Sequence, residues 1–173
     1  MQRNSALFIF IGLLFAAIGV YVGVQKLAPD PAPASAVERL LAQTLPDAHG
    51  QPQTLSVWRG KPLIVNFWAT WCAPCVQEMP ELSALQTEIA PRGIQLLGIG
   101  IDSAENIAAF AAKYRINYPL FVAGVSATEL ARAFGNQAGG LPYTVLIGRD
   151  GQVKKTYLGR LKIDELRADL SLM

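Results

Sequence analysis

One pattern constrains the fold of this chain more than any other feature: a near-continuous apolar run at residues 63–68, a helical pattern, and a second such run at residues 94–101. Residues that recur at intervals of three or four, as on one face of a helix, lie between the two runs: Cys75, Met79, Leu82, Gln86 and Ile89. Continuous apolar strands are typical of a sheet that is covered on both faces. A strand, a helix and a second strand in this order predict a parallel pair, and therefore an α/β fold.

Two helices and a short strand are predicted after the second apolar run. The Asp102-Ser103 pair is placed to cap a helix that continues to Tyr114. Residues 118–122 are predicted to form a short strand. The spacing between Ser126 and Glu129 matches a capping box and predicts the start of another helix.

Two hairpins and a closing helix complete the pattern. Residues 143–147 and 152–158 flank an Asp-Gly turn, so they are predicted to pair antiparallel. An N-terminal hairpin is predicted over residues 45–58, with its turn at residues 47–50. Apolar residues at helical spacing from Ile163 onward predict the last helix. Together these elements predict a central mixed sheet with helices on both faces.

The first 27 residues are predicted to anchor the chain in a membrane. Residues 6–24 carry no charge, and as a helix they would span about 28 Å, close to the ~30 Å hydrocarbon core of a bilayer. Arg3 precedes this run and no basic excess follows it, so the positive-inside bias places the N-terminus in the cytoplasm and the following domain outside. The alternatives are a signal peptide cleaved near residues 34–36 and a buried core helix.

Residues 28–36 are rich in proline and alanine and are predicted to form an extended linker. Residues 37–173 are then the soluble domain. The formal net charge of +2 and the absence of any basic run longer than two residues disfavour binding to nucleic acid. One histidine and two cysteines are too few for a His/Cys metal cage. Arg160 and Lys162, after the last predicted strand, are predicted to be solvated charges.

Both cysteines lie in one Cys-x-x-Cys motif, directly after a predicted buried strand and at the start of a predicted helix. The free N–H groups and the dipole at a helix start stabilise an anion, so Cys72 is predicted to be the nucleophilic thiolate. Cys75, one turn further along and on the core-facing stripe, is predicted to be the resolving thiol. The spacing lets Cys75 reach a mixed disulfide on Cys72, which makes the pair a candidate redox-active disulfide.

Two other interpretations of the cysteine pair remain open at this point. A purely structural disulfide is possible outside the cytoplasm, but so short a loop constrains the unfolded chain little, by about 2 kcal/mol or less. A Cu(I) site would need further ligands, and Met79 and the distant His49 are the other candidates in the sequence. No metal and no other cofactor is predicted.

Residues 65–82, VNFWATWCAPCVQEMPEL, resemble the active-site segment of the thioredoxin superfamily, and specifically of the membrane-anchored, extracytoplasmic TlpA/ResA-like thiol-disulfide reductases. The likeness covers about residues 40–173 and includes the Gly-Leu-Pro-Tyr-Thr sequence at residues 140–144. It implies a thioredoxin fold with an N-terminal hairpin and an inserted strand–helix unit at about residues 116–136.

The resemblance also implies a substrate-binding surface. Pro142 would be the cis-proline that faces the Cys-x-x-Cys motif. The backbone of Leu141 would then be exposed for pairing with an extended substrate. Trp71, beside the first cysteine, is assigned to the apolar rim of the same surface.

Proton transfer to and from the resolving thiol is expected to involve Glu78. Thioredoxins proper carry a buried aspartate six residues before the first cysteine, but this chain has Asn66, which cannot titrate. Glu78 lies three residues after Cys75, hence on the same helical face, and resembles the acidic residue that TlpA/ResA-like proteins carry there. We expect it to be partly desolvated, with a raised pKa, and to exchange a proton with Cys75 through water. The alternative is a solvated surface glutamate.

The implied function is a membrane-tethered thiol-disulfide oxidoreductase that reduces disulfides of partner proteins, such as apocytochrome c thiols or copper-site cysteines. A membrane electron donor of the CcdA/DsbD type would resupply electrons, and tethering would raise the effective concentration at that donor. The expected location is the inner (cytoplasmic) membrane, with a single pass and the C-terminal domain in the periplasm or extracytoplasmic space. A disulfide oxidase or isomerase of the same fold and a Cu(I)-binding module are the alternative functions, because sequence does not give the reduction potential.

Overall fold

A five-stranded mixed sheet organises residues 35–173, which are the residues described by the computed structural model. The strands are β1 (Thr44–Pro46), β2 (Pro52–Thr54), β3 (Leu63–Trp68), β4 (Gln95–Gly100), β5 (Leu120–Val122), β6 (Tyr143–Ile147) and β7 (Val153–Leu158). The helices are α1 (Ala36–Leu41), α2 (Ala73–Ile89), α3 (Ala104–Tyr114), α4 (Ser126–Ala133) and α5 (Ile163–Asp169). Short 3-10 turns lie at Leu55–Trp58, Ala90–Arg92 and Leu170–Leu172. The predicted anchor at residues 1–27 lies outside the described residues.

The strand order in the main sheet is β5-β4-β3-β6-β7. β3 pairs parallel with β4, and β4 pairs parallel with β5. β6 pairs antiparallel with both β3 and β7. The parallel β3–α2–β4 unit, the β6–β7 hairpin and the mixed sheet are therefore confirmed. β1 and β2 form the predicted N-terminal hairpin as a separate two-stranded sheet.

The two faces of the sheet bury two apolar clusters, and β3 contributes to both because its side chains alternate. Ile64 and Trp68 pack on the face covered by α2, α3 and α5. Leu63, Val65 and Phe67 pack on the other face, which α1 and α4 cover. Asn66 shares the face of Ile64 and Trp68, so the period of the strand directs this polar side chain toward α2. Among residues 35–173, none of the helices combines the length and apolar character that a membrane crossing requires.

Two details differ from the sequence predictions. Residues 36–41 form helix α1, although residue 36 was assigned to the linker and no helix was predicted after it. The Ser35 side chain caps this helix by accepting the N–H of Glu38 at 3.2 Å, and its apolar face is buried. The predicted capping box at Ser126 is wrong, because the Ser126 hydroxyl instead donates to the carbonyl of Ala123 at 2.7 Å. Helix α4 nevertheless begins at Ser126, as predicted.

Candidate active site

The two cysteines lie at the N-terminal tip of α2, shortly after the end of β3. Cys72 is the N-cap residue of α2, and its carbonyl accepts the N–H of Val76 at 3.0 Å. Its sulfur accepts the N–H of Cys75 at 3.3 Å, which satisfies one of the unpaired donors of the first helical turn. Pro74 fits in this turn because it has no N–H that would need a partner.

Cys72 and Cys75 form a disulfide, with their Cα atoms 5.2 Å apart. The two residues differ in accessibility, since Cys72 is 6% exposed and Cys75 is fully buried. What little of the pair is exposed to solvent therefore belongs to Cys72, whereas Cys75 is covered by the core beneath α2. The structure thus represents the oxidised state of the pair.

The Leu141–Pro142 peptide bond is cis and directly precedes β6. In the sheet register Tyr143 of β6 lies opposite Phe67 of β3, so Pro142 lies beside the end of the strand that leads to the cysteines. The cis bond that the resemblance implied is therefore present, and it lies at the same edge of the sheet as the cysteine pair.

Apolar side chains are exposed around this edge. Trp71 is 69% exposed beside Cys72, whereas Trp68 is completely buried. Leu158 is 61% exposed and lies opposite Tyr143 in the β6–β7 ladder. Tyr143 directly follows the cis-proline. Leu158 was not predicted from the sequence. Its position as an apolar residue at the end of an otherwise exposed strand could have indicated it.

Glu78 is fully buried and its two carboxyl oxygens have different partners. Oε1 accepts a hydrogen bond from Nδ2 of Asn66 at 2.9 Å, and Oε2 accepts the backbone N–H of Leu161 at 2.9 Å. Asn66 Nδ2 also donates to the hydroxyl of Thr144 at 3.0 Å. These contacts place a carboxyl, an amide and a hydroxyl on the sheet face beneath α2. The sequence analysis missed Thr144 and the Leu161 N–H, because both come from distant parts of the chain.

Burial raises the pKa of Glu78 from its ordinary value of 4.5 to about 7. The hydrogen bonds from Leu161 and Asn66 and the positive charge of Arg160 act in the opposite direction, but they are outweighed. The expected desolvation of Glu78 is thus present, and the solvated alternative is wrong. A carboxyl with this pKa can gain or lose a proton near neutral pH.

The residues considered for a Cu(I) site are not all near one another. Met79 packs in the same core cluster as both cysteines. His49 lies in the turn of the β1–β2 hairpin, where its backbone N–H donates to Oδ1 of Asp47 at 2.8 Å. His49 lines a cavity of about 350 Å³ beneath that hairpin, and neither cysteine lines it. Within residues 35–173 no group of three or more His, Cys, Asp or Glu side chains is arranged to hold a metal ion.

A mixed sheet, a disulfide at the start of the helix after the central strand, and a cis-proline beside it define the class of thioredoxin-like dithiol–disulfide proteins. The AhpC/TSA family model matches residues 36–156, so the chain belongs to the AhpC/TSA family of the thioredoxin superfamily. Similarity to named relatives identifies it further as a thiol-disulfide oxidoreductase of the ResA/DsbE type with a cysteine pair.

Curated relatives and solved structures agree with this assignment. Thiol-disulfide oxidoreductase ResA of Geobacillus thermodenitrificans is 31% identical over 181 residues, covering 98% of this chain and 95% of the relative. The crystal structure of a thiol:disulfide interchange protein of the thioredoxin family from Chlorobium tepidum has a TM-score of 0.64 at 25% identity, covering 76% of this chain and 95% of that chain. A secreted Mycobacterium tuberculosis disulfide oxidoreductase homologous to E. coli DsbE has a TM-score of 0.66 at 21% identity, covering 79% and 99% of the two chains, and supports the fold alone.

Proposed function

We propose that this chain is a membrane-tethered oxidoreductase that reduces disulfides of proteins outside the cytoplasm. Cys72 is the attacking thiolate, Cys75 is the resolving thiol, and Glu78 accepts and returns the proton of Cys75. The observation that carries this proposal is one arrangement on α2: a disulfide whose slightly exposed cysteine lies at the helix tip, its fully buried partner cysteine one turn along, and a buried carboxyl with a pKa of about 7.

The reaction begins with the reduced pair. The Cys72 thiolate attacks one sulfur of the substrate disulfide, forms a mixed disulfide and releases the other substrate sulfur as a thiolate, which takes a proton from water. Cys75 then loses its proton and attacks the sulfur of Cys72. The second substrate thiol is released and the Cys72–Cys75 disulfide forms. Two electrons pass from the cysteine pair to the substrate. The protein is left with the Cys72–Cys75 disulfide, as in the present structure.

Glu78 is proposed to take the proton of Cys75 in the resolving step. The two residues lie on one face of α2 and are both fully buried, so bulk water cannot serve directly as the base. Asn66, the other buried polar group that contacts Glu78, cannot titrate. A carboxylate with a pKa of about 7 accepts a proton at neutral pH and returns it when the pair is reduced again.

The substrate is proposed to bind as an extended protein segment across the apolar edge around Cys72. Trp71, next to Cys72 in the chain, and Leu158, opposite Tyr143 in the β6–β7 ladder, supply exposed apolar surface. The backbone at Leu141 is proposed to pair with the segment. Cysteines of apocytochrome c or of a copper site awaiting its metal are the proposed substrates, since such thiols must be reduced before they can bind their cofactor.

A trapping experiment tests the proposed direction and substrates. In the full chain with Cys75→Ala, we expect partner proteins to accumulate as mixed disulfides on Cys72, because the thiol that would release them is absent. The complexes are identified by mass spectrometry after a non-reducing gel and must disappear with dithiothreitol. The Cys72→Ser, Cys75→Ala double variant is the control and should trap nothing. Absence of complexes, or trapping of partners that the wild-type protein oxidises, would contradict the proposal.

The anchor at residues 1–27 is proposed to hold the domain at the outer side of the inner membrane, next to a CcdA/DsbD-type electron donor. The uncharged run of residues 6–24 supports this, and the similarity to the Geobacillus ResA covers 98% of the chain. Confinement at the membrane raises the effective concentration of the donor, which must deliver two electrons after each turnover.

We expect the full chain to remain in the membrane fraction after alkaline carbonate washing and to be digested by protease added to spheroplasts. Changing both Leu13 and Leu14 to arginine should release it from the membrane, because a charge at the centre of a spanning helix costs about 2.5–3.5 kcal/mol. The matched control changes the same two residues to isoleucine. Recovery of the unmodified chain in the soluble fraction would contradict the anchoring.

A further inference from the structure

Three consecutive residues after β7 make hydrogen bonds at or beside the candidate active site. The N–H of Gly159 donates to the carbonyl of the cis-proline Pro142 at 2.9 Å. Arg160 Nη2 donates to Oε1 of Glu81 at 2.7 Å. The N–H of Leu161 donates to the buried Glu78 carboxyl at 2.9 Å. Residues 159–161 therefore connect the proposed substrate-binding proline to the proposed proton acceptor.

The ion pair with Glu81 attaches this segment to α2 from its solvent side. Arg160 was predicted to be a solvated charge, and its side chain is indeed about half exposed, but it is paired with an acidic residue one turn beyond Glu78. A groove of about 510 Å³ runs along the segment and is lined in part by Glu81, Arg160 and Leu161. The Leu161 side chain packs in the core cluster beneath α2, so the ion pair adds a second attachment of the segment to the helix, on the side that is open to solvent.

We infer that Arg160 is a positioning residue for Glu78. Its ion pair with Glu81 holds residues 159–161 against α2, and this keeps the Leu161 N–H on the Glu78 carboxyl and the Gly159 N–H on the Pro142 carbonyl. The catalytic consequence of the inference rests on the proposed proton transfer by Glu78. The positioning itself does not, because it concerns the hydrogen bonds of the oxidised protein.

The charged and titratable groups that face Glu78 come from three elements. Glu81 lies on α2 itself, Arg160 lies after β7, and the buried Tyr118 lies before β5. The Leu161 hydrogen bond lowers the pKa of Glu78 more than the Arg160 charge does, and the Glu81 charge raises it by less than either of them lowers it. Loss of the ion pair should weaken the Leu161 hydrogen bond to Glu78. The pKa of Glu78 should therefore rise whether Arg160 or Glu81 is replaced.

The test measures the titration of the Glu78 side-chain carboxyl in the oxidised full chain by carbon-13 NMR, with the signal assigned from its absence in Glu78→Gln. We expect Arg160→Gln and Glu81→Gln each to raise the midpoint by about 0.2–0.7 pH unit, the range that a partly exposed ion pair can supply. A purely through-space charge effect would instead give opposite shifts in the two variants. A lowered or unchanged midpoint in Glu81→Gln would overturn the inference.

Glu88→Gln is the matched control, because it removes another ion pair of α2, that with Arg167 of α5, at the far end of the helix. It should leave the Glu78 midpoint unchanged. Hydrogen exchange of the Leu161 amide is the second measurement and should be faster in Arg160→Gln and Glu81→Gln than in the control. Equal exchange rates would also overturn the inference. If the midpoint shifts as expected but the pH profile of disulfide reduction does not move with it, the positioning stands and the proposed role of Glu78 fails.

Discussion

Replacing Cys72 with serine is expected to lower the rate of disulfide reduction by roughly three orders of magnitude or more, because the thiolate is the only species that can attack the substrate. Cys72 caps α2, and the N–H of Cys75 points at its sulfur, so the helix stabilises the anion at this position. A hydroxyl at the same place is not ionised near neutral pH. The measurement is reduction of insulin disulfides by the full chain with dithiothreitol as the electron source.

The matched control is Cys75→Ser, which should separate the attacking role from the resolving role. This variant should still form a mixed disulfide with a small-molecule disulfide in a single turnover, and its Cys72 should still react with iodoacetamide at neutral pH. It should fail to complete the second step. If Cys72→Ser kept the first step and Cys75→Ser lost it, the assigned order of the two sulfurs would be reversed.

Replacing Glu78 with glutamine is expected to slow the resolving step by about a hundredfold at pH 7, the lower end of what general acid–base catalysis supplies. The substitution removes the base near Cys75 but leaves the N–H donors of Asn66 and Leu161 in place. The rate of the wild-type protein should rise as pH increases through about 7, the pKa of Glu78, and then level off, whereas the rate of the variant should keep rising toward pH 9. The measurement is the breakdown of a preformed mixed disulfide on Cys72 between pH 5 and 9.

The difference between the two proteins should narrow toward pH 9, where an ordinary thiol with a pKa near 8.5 loses its proton without help. Glu105→Gln on α3 is the control, because it removes an exposed carboxyl of similar size. Identical pH profiles for the wild type and Glu78→Gln would remove Glu78 from the mechanism.

The same substitution should change how stability depends on pH. The pKa of Glu78 is about 7 in the folded protein against an ordinary value of 4.5, so between these values the folded state holds more protons than the unfolded state. The free energy of unfolding therefore falls as pH rises through this window, by about 3 kcal/mol in total. Below pH 4.5 this loss of stability is absent, and above pH 7 it is complete.

Glu78→Gln should abolish this decline and be more stable than the wild type at pH 8. The new amide offers one acceptor where the carboxylate offers two, but Oδ1 of Asn66 has no hydrogen-bond partner among residues 35–173. Reversal of the Asn66 amide would let that oxygen accept from the new amide and from the Thr144 hydroxyl, while the Asn66 NH2 group would take the position without a partner, so one polar group of Asn66 lacks a partner in both proteins. Urea denaturation of the oxidised proteins at pH 4.5 and 8 measures the effect, and parallel pH dependence in both proteins would contradict it.

The elements nearest the cysteines were predictable because their signals are local. The apolar run of β3, the helical stripe of α2 and the Asp-Gly turn between β6 and β7 each follow from neighbouring residues. The position of Cys72 at a helix start follows in the same way, since it depends on where one strand ends and one helix begins. α1 was missed because its six residues directly follow a proline-rich tract and have no longer pattern around them.

The sequence by itself determined the parallel pairing of β3 with β4, the cysteine pair at the tip of α2 and the presence of a carboxyl one turn beyond it, because these depend on side-chain periodicity and spacing. Only the tertiary structure decided the environment of that carboxyl. Its hydrogen-bond partner Leu161 is 83 residues away, and Thr144 is 78 residues from Asn66. The Arg160–Glu81 pair likewise joins residues 79 positions apart. Desolvation requires the closure of several distant segments over one group, and no local pattern of residues carries that information.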